Sequence, residues 1–115
     1  MALRRCLLEL GNGVDLHGKN STKAARRAVF NALHHSSISF PRVFGYETGM
    51  MSVEVNIAVP NHETVNINEV LEEIPYGSKS IKVSDGGMEI PGGTDSSDST
   101  IVANAAIIVS LDVED

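Results

Sequence analysis

Between Met51 and Val59 apolar and polar positions alternate almost without a break: Met51, Val53, Val55, Ile57 and Val59 on one side, Ser52, Glu54, Asn56 and Ala58 on the other. A period of two is that of an extended strand with one face on a core and the other mostly polar. The run from Ile101 to Val113 has the same period but a different balance. Its first face holds Ile101, Ala103, Ala105, Ile107, Val109, Leu111 and Val113, while Val102, Ala106 and Ile108 make the second face apolar too, beside Asn104 and Ser110. A strand apolar on both faces requires cover on both. Residues 2–10 read as a further strand ending at a Gly11-Asn12-Gly13 turn, with Leu7 and Leu8 placing apolar groups on both sides.

Helical spacing appears twice. From Ser21 to about His35, Ala25, Ala28, Val29, Ala32 and Leu33 form a narrow stripe opposite Lys23, Arg26, Arg27 and Asn31, and its alanines predict close packing on a sheet. Asn66 begins a shorter helix, with Glu69 as in a capping box, Val65 and Val70 as a staple, and Ile67, Val70, Leu71 and Ile74 as the buried stripe. Pro75 and Gly77 stop it. Ser80–Ser84 reads as a strand, Asp85-Gly86-Gly87 as a turn and Met88–Ile90 as a hairpin arm; residues 36–49 and 91–100 read as loops.

The predicted order is β-α-β-α-β(β)-β: one α+β domain over residues 1–115, with a mixed sheet of four to five strands and two helices on one face. Helices on one face leave the second face of the last strand uncovered. Copies of the same chain are the expected cover, giving a closed homo-oligomer, a trimer ahead of a dimer.

Composition narrows the partners. Fifteen acids against nine bases give a formal charge of −6, and with two Tyr, three Phe and no Trp neither a phosphate backbone nor a stacked base is well served, so no nucleic-acid partner is expected. Cys6 is the lone cysteine and reads as a small buried hydrophobe in a reducing compartment. No apolar run approaches the ~20 residues of a membrane span, and the first residues lead straight into a strand rather than a signal-peptide core. No membrane partner and a cytoplasmic setting are expected.

Candidate chemistry concentrates between Gly11 and Ser21. Gly11, Gly13 and Gly18 lie within eight residues, between a strand and a helix whose cap is Asn20 or Ser21. Glycines let backbone N–H groups approach a ligand, and a helix N-terminus favours an anion. Gly11, Asn12, Gly13, Gly18 and Ser21 are therefore the candidate ligand-binding residues, and a small polar or anionic molecule the expected ligand. Gly13, Gly18 and Lys19 reproduce the spacing of a phosphate-binding loop, but Asn20 stands where the magnesium-binding Ser or Thr belongs.

Acid–base chemistry assigns proton transfer to His17, orientation of the ring to Asp15 or another carboxylate, and oxyanion stabilisation to Lys19 and turn N–H groups. A metal-dependent hydrolase would use Asp15 and His17 as ligands, with His34, His35 or His62 completing the set. Nucleophilic catalysis would need Ser21, Ser96, Ser97 or Ser99 beside Lys19 or Lys23, and Asp95 with Asp98 offers a cation site. The competing structural explanation has Asp15 capping the turn and His17 bonding to the backbone. No pattern names a cofactor.

The spacing G-x-G-x-D-x-H-G of Gly11, Gly13, Asp15, His17 and Gly18 resembles the signature of a small uncharacterised family of bacterial proteins, also found in plants behind a long N-terminal extension. The GGM-x-IPG segment at Gly86–Gly92 and the VANAAI last strand are similar as well, so the resemblance covers essentially the whole chain. It implies that the turn is a site and the domain complete; the family has no established activity. In architecture alone the chain also resembles trimeric enamine-deaminase-like proteins and the repeat of ring-opening cyclic-amide hydrolases, whose sites lie between subunits or repeats. The leading expectation is a metabolite site at Gly11–Lys19 near a subunit interface, acting on a carbonyl or cyclic amide. A non-catalytic oligomeric module is the alternative.

Overall fold

In the computed structural model, residues 2–34, 51–74, 77–92, 94 and 98–113 are described, with the side chains of 2–4, 6, 112 and 113 left aside. The expected loop at 36–49, His35, Asp95, Ser96, Ser97 and the Cys6 side chain fall outside them. The elements are β1 (Ala2–Asp15), α1 (Ser21–His34), β2 (Met51–Ala58), a 3-10 turn at His62–Thr64, α2 (Ile67–Leu71), β3 (Ser78–Ser84), β4 (Met88–Pro91) and β5 (Ser99–Val113). This is the predicted order.

Every other strand except β3 pairs with β5. The sheet runs β1-β5-β2-β3, with β4 also on β5. β1, β2 and β4 are antiparallel to β5, whereas β3 is parallel to β2, so the sheet is mixed. A parallel neighbour needs a crossover, and α2 lies within it. Met88–Pro91 forms its hairpin with β5, not with β3: Met88 faces Val102 and Ile90 faces Thr100.

The alternation of β2 and β5 sorts into faces as expected. Val53, Val55 and Ile57 oppose Val109, Ile107 and Ala105 and are buried under the helices. Against them α1 lays Ala24, Ala25, Ala28, Val29 and Ala32, all fully buried. In α2 only Val70 is buried, with Leu71 packing partly on the core and Ile74 buried just beyond the helix. Ile67 is 47% exposed, because a five-residue helix turns only one narrow side to the sheet.

β1 departs from the prediction. Gly11, Asn12 and Gly13 lie inside the strand, paired with Ala105, Asn104 and Ala103. No turn forms there and neither glycine has positive φ. A Cβ on Gly11 would lie 2.5 Å from the Ala28 carbonyl oxygen, and one on Gly13 would meet the Ala24 carbonyl and the Ala28 nitrogen. Gly11 and Gly13, with Ala105 and Ala103 beside them, form a flat floor on which the Ala24-Ala28-Ala32 ridge of α1 rests. The turn follows at residues 16–20, where Gly18 (φ 100°) and Lys19 (φ 52°) are left-handed.

Candidate functional site

The strand–turn–helix passage organises two carboxylates, Asp15 taking one backbone N–H and Asp98 two, of the kind the sequence offers to a ligand. Asp15, the last residue of β1, points under the start of α1 and is 2% exposed. Its Oδ2 accepts the Asn20 N–H at 3.0 Å, and its Oδ1 lies 3.9 Å from Lys23 Nζ and 3.8 Å from Arg27 Nη1. Burial is tolerated because the charge is hydrogen-bonded and flanked by cations. Asn20 is the helix cap, its Oδ1 accepting the Lys23 N–H at 3.0 Å. Ser21 is buried and donates to the Pro60 carbonyl at 2.6 Å.

Asp98, the second carboxylate, lies just before β5. Its Oδ1 accepts the N–H groups of Gly18 at 2.9 Å and Ser99 at 3.0 Å, and its Oδ2 lies 2.8 Å from His17 Nδ1. The Gly18 N–H, with the His17 ring next, holds the Asp98 carboxyl below its ordinary pKa. The orienting carboxylate for His17 is thus Asp98, not Asp15. The His17 side chain itself remains 85% exposed.

Lys19 stands 3.5 Å from Glu89 Oε2 on β4. Glu89 also accepts from Asn61 Nδ2 at 3.3 Å. Its pKa is lowered, first by the Ser99 hydroxyl; burial opposes this as the next largest effect, and Asn61 and Lys19 lower it further. Thr100 closes the turn by donating to the Leu16 carbonyl at 3.0 Å. His17, Gly18 and Lys19 therefore meet Asp98, Ser99 and Glu89 at one end of the sheet.

The remaining candidates separate from this cluster. Gly11 and Gly13 are covered by α1, and the Asn12 N–H is taken by Asn31 Oδ1 at 3.1 Å. Asp15 and His17 engage different partners, and among the described residues no three His, Cys, Asp or Glu side chains are placed to hold a metal ion. His34 Nδ1 sits 2.8 Å from the Phe30 carbonyl, and His62 lies beside Glu63 at 3.4 Å. Glu89 and Asn61 carried no signal in the sequence beyond the GGM-x-IPG segment that contains Glu89. In the sequence Asp98 is a candidate only as a cation ligand beside Asp95, which falls outside the described residues, and not as the partner of His17.

A helical layer on one face of a mixed sheet, with an Asp–His pair where the first strand turns into the first helix, defines a small α+β protein with its polar cluster at a sheet end. The chain belongs to the conserved hypothetical protein family Lin0512_fam, matched over residues 5–109. It is also similar to a crystal structure of an FtsZ-like protein of unknown function from Nostoc punctiforme PCC 73102, at 37% identity and a TM-score of 0.87. That similarity covers 98% of this chain and 99% of the other. No curated protein sequence matches the chain. Among the described residues no helix is long and apolar enough to cross a membrane.

Proposed function

We propose that the protein binds a small polar or anionic molecule at the His17–Lys19 turn and that His17, oriented by Asp98, exchanges a proton with it. The support is the His17 ring, held at 2.8 Å from the Asp98 carboxylate yet 85% exposed. When Nδ1 carries the proton and donates to Asp98, Nε2 is free to accept one from a bound molecule.

Asp98 cannot swing away, because two backbone N–H groups hold its other oxygen. Lys19, about half exposed, supplies a cation for negative charge developing on a substrate oxygen. Proton transfer at a carbonyl or cyclic amide is the chemistry these groups serve. Native mass spectrometry of the protein as purified tests it. Wild type is expected to retain a small-molecule mass that His17→Ala loses; bare wild-type protein, or equal retention by the variant, refutes the reading.

The second reading is a non-catalytic module. It is favoured by the internal use of the turn: Asp15 and Asp98 already occupy N–H groups that an anion would seek. It expects no retained molecule.

A further inference from the structure

We infer that the helix-free face of the sheet is the surface on which a second copy of this chain packs. Of the seven large apolar side chains exposed among the described residues, four lie on it: Leu8 (44%) and Leu10 (62%) on β1, Met88 (57%) and Ile90 (47%) on β4. β5 joins them. Ile108 lies opposite Leu8, Ala106 opposite Leu10, and Val102 opposite Val14 and Met88, so apolar positions of three strands share this face in two groups, one on either side of the exposed Asn12–Asn104 pair. Isolated surface leucines need no explanation; two groups of exposed apolar side chains gathered on one face do.

Charge identifies the occupant. The chain carries −6, yet among the described side chains those charged on this face are Glu54 against Arg5 and Lys82, none of them in an ion pair with another described residue. Glu9, Asp15 and Glu89, the other described acids of the strands, lie on the opposite face, which lessens the repulsion that two copies of an acidic protein would meet here. A face with both signs serves neither a strongly charged partner nor an anionic membrane surface. It suits a self-complementary contact, in which Glu54 of each copy meets Arg5 or Lys82 of the other.

The size is adequate. From Asn104 to Ser110 four strands lie side by side, about 20 Å along and about 19 Å across, and β4 extends the face beside Val102, roughly 400–500 Å² in projection. Side chains standing up from the pleat bring the accessible area toward the ~800 Å² per partner of a standard interface. Two such faces would stack ~10 Å apart as in a sandwich.

Sedimentation velocity on the full chain tests this at micromolar and higher concentrations. Wild type is expected at no less than twice the mass of a single chain. Leu10→Glu, at a site exposed enough to leave the fold intact, is expected to return it to the single-chain mass. Ile67→Glu, an exposed apolar position on the helical layer, is expected to keep the oligomer. A wild type at single-chain mass throughout, an oligomer unaffected by Leu10→Glu, or equal dissociation by both variants overturns the inference.

Discussion

Gly13 and Gly18 belong to one motif and do unlike work. A Cβ at Gly13 would press on α1 backbone, with the Arg27 carbonyl carbon at 2.7 Å, and backbone cannot step aside as a side chain can. At Gly18 the nearest atom is Asp15 Oδ2 at 3.7 Å, and the obstacle is the φ of 100°. Gly13→Ala is expected to cost about 3 kcal/mol through overpacking. Gly18→Ala is expected to cost about 1–2 kcal/mol through backbone strain alone. Urea unfolding of the two variants separates these causes, since a larger loss at Gly18 would show that the floor under α1 yields. The spacing G-x-G announced glycines with a purpose, but whether the purpose was a turn or a close approach depended on Ala24, Ala28 and Ala32, which arrive from a later element.

At the scale of elements, local rules were legible wherever the determining atoms are neighbours in sequence. Asn66 caps α2 as its capping pattern predicts, accepting the Glu69 N–H at 3.2 Å. Its own N–H goes to Thr22 Oγ1 at 2.9 Å, which ties α2 to α1. The far end is held by Lys79 Nζ, which donates to the carbonyls of Leu71 at 3.3 Å and Ile74 at 3.0 Å. Asn66→Ala is expected to lower stability by about 1 kcal/mol. Thermal unfolding checks this, and no change would mean that so short a helix is held by Val70 and Lys79 without its cap. β4 was harder to read, because a four-residue strand carries no information about which neighbour it will choose.

For the whole molecule, Asp98 joins the turn after β1 to the start of β5, bonding His17 across 81 positions of sequence. Its carboxyl pKa is lower in the folded chain than its ordinary value of 3.8. Unfolding therefore favours its protonation, and the stability it contributes is present above that value and lost as pH falls through the lowered folded-state pKa. Asp98→Asn is expected to reduce the denaturant midpoint at neutral pH and to converge on wild type in the acid range below about pH 4. Denaturation series at several pH values check this; a gap unchanged at acid pH would show that Asp98 acts by packing rather than charge.

The sequence by itself determined the order of elements, the buried face of β2 and β5, and both helix starts, because strand periodicity, helical periodicity and caps act over a few residues. Only the tertiary structure decided that Gly11 and Gly13 are a floor for α1, that Asp98 orients His17, and that Glu89 meets Lys19. Each of these depends on segments far apart in the chain, and their proximity follows from how β1, β2 and β4 align on β5.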